Sequence, residues 1–409
     1  MTVHAFDADS HILEPRDLWL KYIDPKRRDL CLSIDDQNEE SGGLLARRSY
    51  MTFKGSQLFQ VCGSTPIGIA AIEALAGQAD RSGVYAAARS RLLNVRDSLF
   101  SYEEQTPKAG YDPGARLLWM DRCSIEKALI TPTWGAMWER YLHDTPDAIA
   151  ANMEAYNRWI LEFCGSDRRR LFPVGQISPA HLDWSLGELG ALARQGVNVV
   201  AMRPVLYGGK TLSHPDFDRL WATLNDLNIA VYFHVSGMGT GAQDFFEAGW
   251  YLGENKGQHN GVIWSVAAHV PMMLTLTAMV RDGLFDQYRN LRLASVEHGA
   301  AWARPWLEQF DSVWDLLIAR GFARPTLAGE RPSQLIRKHV WFTALDKENL
   351  EEVVRELGSE RIMFSTDYPH PECSDYPVEE FRQRAGSFAG PTLERLISRT
   401  CEQFVAGNA

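Results

Sequence analysis

Cysteine is scarce in this 409-residue chain, with only Cys31, Cys62, Cys123, Cys164, Cys373 and Cys401, and none of them forms a Cys-x-x-Cys pair. A disulfide framework is thereby excluded, and reduced thiols in a cytoplasm are expected. No stretch reaches the roughly 18 uninterrupted apolar residues of a membrane helix. Residues 1–9 show no positive start leading into an apolar run, so no secretory leader is expected. An excess of positive charge is also missing: the formal net charge is −10. The densest basic clusters, Lys26-Arg27-Arg28 and Arg168-Arg169-Arg170, are three residues long and suit solvated turns. Nucleic acid and anionic membranes are therefore not expected partners. What remains is 45% hydrophobic, 23% charged and rich in aromatics, including 13 Trp, as in a globular protein that buries a full core.

Short β-branched or aromatic runs recur at Val3–Phe6, Ala128–Thr131, Leu171–Gln176, Val197–Met202, Ile229–His234, Leu291–Val296, His339–Phe342 and Arg361–Ser365. Helical periodicity separates most of them, in Asn152–Phe163, Trp184–Leu192, Phe217–Leu227 and Leu350–Leu357. Eight alternating units predict an α/β fold, a single (β/α)₈ TIM barrel spanning 1–409. A doubly wound open sheet would carry a Gly-rich phosphate turn after its first strand; here that strand runs into Asp7-Ala8-Asp9-Ser10-His11. Two segments exceed the repeat. One, about 15–115, includes an acidic, turn-rich piece at Asp35–Gly43. The other, Ser236–Gln258, holds six glycines. Long βα connections sit at the C-terminal face of a barrel, where they cap a site or serve as surface elaboration.

The polar residues that end the strands carry the chemistry. Asp9 and His11 end the first, His234 the fifth, Glu297-His298 the sixth and Asp367 the eighth. In a parallel barrel these ends converge on one face. Two imidazoles and two carboxylates form a ligand set for a divalent transition metal. Alternation along a strand places Asp9 and His11 on one face, with Ala8 and Ser10 turned away. It also forbids Glu297 and His298 from both pointing inward unless the strand is distorted near Gly299. A lone strand-end histidine is more often a satisfied polar contact than a ligand; the shared register raises the odds. Arg203, in Met202-Arg203-Pro204, suits a substrate carboxylate, or equally a rim salt bridge. Trp134, Trp138, Trp302 and Tyr368 suggest either apolar walls or plain core, and His370, just beyond Asp367, could reach the rim.

Several motifs resemble the amidohydrolase superfamily, in the branch that includes the aminocarboxymuconate semialdehyde decarboxylases. They are Phe6-Asp7-Ala8-Asp9-Ser10-His11-Ile12-Leu13-Glu14-Pro15, Arg116-Leu117-Leu118-Trp119-Met120-Asp121, Tyr156-Asn157-Arg158-Trp159, Phe233-His234, Ser295-Val296-Glu297-His298-Gly299 and Ser365-Thr366-Asp367-Tyr368-Pro369-His370. The resemblance covers the start and then about residue 110 onward. It implies a metal at the barrel mouth held by Asp9, His11, His234 and Asp367, with Asp9 standing where the usual His-x-His motif has its first histidine. It places His298 at the second catalytic histidine, and Glu14 and Glu297 at acidic positions. A carboxylate in place of an imidazole hardens the site and moves preference from Zn toward Mn or Fe. Glu14, Glu297 and His298 add ligand capacity for a second ion.

The expected function is metal-dependent hydrolysis or non-oxidative decarboxylation of a small carboxylated molecule, with Asp367 and His298 moving protons and Arg203, Trp302 and His370 meeting the substrate. An Fe- or Mn-dependent oxygenase and a metal-bound support subunit of a catalytic paralogue are the alternatives. A homo-oligomer, or a hetero-oligomer with a paralogue, is the family-level expectation.

Overall fold

The computed structural model describes residues 4–41, 44–61, 102–235, 266–370, 373–388 and 390–407. Among the described residues, eleven strands run in chain order: β1 Ala5–His11, β2 Leu32–Ser41, β3 Leu44–Phe53, β4 Ser56–Val61, β5 Ile125–Thr131, β6 Leu171–Gln176, β7 Val199–Ala201, β8 Ala230–His234, β9 Leu293–Val296, β10 Val340–Thr343 and β11 Ile362–Met363. Eight of them form one parallel sheet in the order β1-β5-β6-β7-β8-β9-β10-β11. The chain leaving β11 closes it. Ala8 N–H donates to Phe364 O at 2.9 Å, Asp367 N–H to Asp9 O at 2.9 Å and His11 N–H to Tyr368 O at 2.6 Å. All eight expected strands are present, and the architecture is the (β/α)₈ barrel.

Helices cover the outside by burying one stripe each. Helix α1, Pro113–Arg122, is capped by Asp112, whose carboxylate accepts Ala115 N–H at 2.7 Å. Helix α2, Pro146–Cys164, opens with proline and buries Tyr156, Trp159, Ile160 and Phe163. Helix α3, Leu350–Leu357, has an Asn349 cap, buries Leu350, Val353, Val354 and Leu357, and stops at Gly358 with φ 91°. Among the described residues no helix is long and apolar enough to cross a membrane.

Inside the barrel, Phe6, Leu129, Val174, Val199, Tyr232, Ala294, Trp341 and Met363 form one cluster. Helix α4, Thr400–Ala406, adds Cys401, Phe404 and Val405 to it. Arg292 Nε donates to Phe404 O at 2.8 Å and Asn228 Nδ2 to Ala406 O at 3.3 Å, so α4 sits where β8 and β9 begin and floors the barrel.

Two expectations change. Ala8 does not face away from the interior: it packs with Phe6, because the β1–β5 register slips between Asp7 and Ser10. That bulge turns Asp9 and His11 inward as well, while Ser10 faces α1. The acidic piece at 35–41 is not a turn but part of an antiparallel sheet, β2-β3-β4. Leu32, Ile34 and Met51 alternate onto its buried face, and the acidic side chains hide that pattern in the composition. Arg16 anchors the sheet through Ile34 O at 2.6 Å and Asp36 Oδ1 at 3.0 Å. The Gly-rich segment Ser236–Gln258 lies outside the described residues.

Candidate metal centre

Five side chains meet at the C-terminal ends of the strands. One donor atom from each of Asp9, His11, His234, Glu297 and Asp367 lies within 4.8 Å of all the others. His11 Nε2 is 3.0 Å from His234 Nε2, 3.2 Å from Asp9 Oδ1 and 3.3 Å from Asp367 Oδ1. His234 Nε2 is 3.5 Å from Asp9 Oδ1 and 3.2 Å from Glu297 Oε2.

The tautomers follow from the neighbours. His11 Nδ1 donates to Pro132 O at 2.8 Å, and His234 Nδ1 to Val235 O. A carbonyl only accepts, so both Nδ1 atoms carry protons and both Nε2 lone pairs face the cluster. Two lone pairs and three carboxylates packed this closely repel one another unless a cation lies among them. Neighbouring donors around a six-coordinate ion with bonds of about 2.1 Å stand about 3.0 Å apart. The donor set and its spacing fit one divalent ion. Where no ion is bound, a proton on His11 Nε2 takes its place: burial would depress the His11 pKa, but the charges of Asp9 and Asp367 override it and hold it well above its ordinary value. Burial likewise opposes ionisation of Asp9, yet His234 and His11 hold its carboxyl well below the usual range.

Local distortion supplies two of the donors. Glu297 has φ 60° and Asp367 φ 57°, left-handed conformations that non-glycine residues rarely adopt. At Glu297 the break ends the alternation of β9, so its carboxylate joins the cluster and His298 is displaced beside it. His298 is 5% exposed, with Nδ1 3.3 Å from Ser295 Oγ, and is not among the converging donors. Burial, then His234 and His269, push its pKa down to about 3, so the ring is neutral near pH 7.

Glu14 is likewise not among the converging donors. Its Oε1 accepts Trp134 N–H at 3.0 Å and Gly135 N–H at 3.1 Å, which spends the carboxylate on the turn after β5. Trp302 lies in an aromatic cluster with Trp306 and Phe342, and its indole N–H donates to Gly299 O at 2.9 Å. Trp138 is fully buried, and Tyr368 stacks on Trp119 at 3.7 Å. Arg203 Nε lies 2.9 Å from Oε2 of the buried Glu139, so a salt bridge is present; the side chain also borders a small cavity shared with His234. His370 is closer to the centre than the rim: it stacks on His11 at 4.1 Å, and its Nδ1 is 2.7 Å from Asp367 Oδ1.

Sequence reasoning missed two supports. Tyr232 OH donates to Asp9 Oδ1 at 2.7 Å; it precedes His234 by two on β8, and that period was the available signal. Arg116 is fully buried and fastens the end of β1, donating to Ser10 Oγ at 2.7 Å, Ala109 O at 2.8 Å and His11 O. Its guanidinium also lies 4.8 Å from the Tyr368 ring. One cation thus grips both segments that carry Asp9, His11 and Asp367.

A closed parallel barrel with clustered imidazole and carboxylate donors at its mouth defines a metal-dependent barrel enzyme. The sequence pattern of the amidohydrolase family matches residues 91–394, and the chain belongs to that family. It is 21% identical over 311 residues to a 2-amino-3-carboxymuconate-6-semialdehyde decarboxylase of Dictyostelium discoideum, covering 72% of this chain and 77% of the relative. An amidohydrolase of Mycobacterium avium subsp. paratuberculosis superposes with a TM-score of 0.78 at 20% identity, over 99% of this chain and 100% of the other. A 5-carboxyvanillate decarboxylase of Novosphingobium aromaticivorans, solved with bound manganese, superposes at 0.60 and 16% identity, over 98% and 97%.

Proposed function

We propose that the protein catalyses metal-dependent, non-oxidative decarboxylation of a small carboxylated aromatic or unsaturated acid at the barrel mouth. The observation that carries this is the set of five donor atoms within 4.8 Å, with both histidine protons turned outward onto carbonyls. The names of the decarboxylase relatives supply the reaction class. Asp9, His11, His234, Glu297 and Asp367 hold the ion, which when bound supplies charge to orient a substrate carboxylate. The reaction exchanges a C–CO₂⁻ bond for a C–H bond, so one proton must reach the carbon that CO₂ leaves. His298 is the group best placed to deliver it. Burial keeps it neutral near pH 7, and an anionic substrate beside it would raise its pKa and load it with a proton. His370 orients Asp367, and Arg203, held by Glu139, faces the substrate side of His234.

The test is His298→Asn in protein of known metal content, with CO₂ release followed on a panel of aromatic and unsaturated carboxylic acids. The expected result is unchanged metal and turnover reduced at least about 100-fold. Loss of metal in that variant would make His298 a ligand. Oxygen uptake by the wild type, without CO₂ release, would replace the decarboxylase reading with the oxygenase one.

A further inference from the structure

Between β5, β6 and β7 the mouth opens into a small cavity of about 20 Å³. Thr131, Gly135, Met153, Gln176, Arg203 and His234 line it. Gln176 is 2% exposed, and its Oε1 accepts no hydrogen bond among the described residues. Buried acceptors are normally paired, so an orphaned one beside a cavity points to an absent donor. This side chain is also held in place. Asn157 grips its backbone from both sides, accepting Gln176 N–H at 2.7 Å and donating to Gln176 O at 2.9 Å. Gly135 lies flat against the amide: a methyl group there would fall 1.8 Å from Nε2. The backbone of Gln176 and the Nε2 side of its amide are thus confined by groups that do not use its carbonyl.

We propose that Gln176 is a specificity-determining residue that reads a hydroxyl substituent of the substrate. The occupant must donate a proton to Oε1 and sit beside His234. A hydroxyl does both; a methoxy group has no proton to give. This rests on the reading of the mouth as the substrate site, and narrows the substrate to a hydroxy-substituted carboxylic acid.

The test is calorimetric titration of manganese-reconstituted protein with 2- and 3-hydroxybenzoate and their methoxy counterparts. At least one hydroxybenzoate should bind about tenfold or more tightly than its methoxy partner. Gln176→Met keeps both backbone bonds to Asn157 and should bring that ratio within about twofold. Gly135→Ala, which pushes the amide into the cavity, should do the same and serves if the first variant does not fold. A ratio unchanged in these variants, equal affinities in the wild type, or no binding of any probe overturns the proposal, leaving a water site only. CO₂ release is measured on the same preparations. A Gln176-dependent ratio without CO₂ release removes decarboxylation but keeps the hydroxyl reading, and CO₂ release with an insensitive ratio does the reverse.

Discussion

Glu14→Gln separates a structural carboxylate from a metal ligand, and its effect on stability can be worked out. Glu14 is fully buried, and burial raises its pKa from an ordinary 4.5 to about 7, against the opposing pull of the Trp134 and Gly135 N–H groups. A carboxyl whose pKa is raised on folding favours the folded state only while protonated. Its contribution is whole below pH 4.5 and is lost as the pH climbs through 7. The gap between 4.5 and about 7 corresponds to about 3 kcal/mol. Gln cannot ionise, and its single carbonyl oxygen can still accept both N–H groups. Chemical denaturation of metal-stripped wild type and variant from pH 4.5 to 8 should therefore show the difference in unfolding free energy drifting by about 3 kcal/mol toward the variant. Asp7 is raised to about 7 in the same way, but it is common to both proteins and cancels. Any fixed penalty from the new NH₂ group shifts the whole curve and leaves the drift intact. A flat difference across this range would refute the buried-carboxylate argument, and loss of bound metal in the variant would return Glu14 to the ligand set.

His11→Ala and His234→Ala should each weaken metal binding by about 100-fold or more, read by elemental analysis after dialysis, because each removes a donor whose partner nitrogen is already committed to a carbonyl. Retention of stoichiometric metal by both would disprove the centre. Asp367→Asn keeps an oxygen donor but removes the charge facing His11 and His370; metal should be partly retained while turnover falls further than metal loss explains, and near-normal turnover in metal-replete protein would take Asp367 out of the reaction. Arg116→Met leaves Ser10 Oγ, Ala109 O and His11 O without their donor, at about 1–3 kcal/mol each, so unfolding free energy should drop by at least about 3 kcal/mol; a smaller loss would mean that water replaces the guanidinium.

The barrel was legible because its signal is repetitive: eight apolar runs, each followed by a polar end, repeat one physical requirement eight times. Asp9, His11, His234 and Asp367 were legible because strand ends in a parallel barrel share a face. Glu297 was harder to assign, since alternation allows only one of Glu297 and His298 inside, and a left-handed φ decided between them. No sequence rule assigns such a conformation to glutamate. Ala8 was misplaced for a similar reason, a register slip invisible to a period of two. Arg116 stood in a recognised motif, but its role depends on three acceptors brought together only by folding. The β2-β3-β4 sheet was obscured because the run of acidic residues outweighed the alternating Leu32 and Ile34 in the composition.

The candidate metal donors run from the first strand of the barrel to just past its last. Asp9 and His11 belong to the first strand and Asp367 follows the last. A ribosome adding about 5–20 residues per second makes the first pair roughly 20–70 s before the final donor exists. During that interval the nascent chain carries a histidine and an aspartate meant for a cavity that has no walls. Only closure of β11 onto β1 completes the candidate donor set, so an ion held by all five donors would report that the barrel has shut.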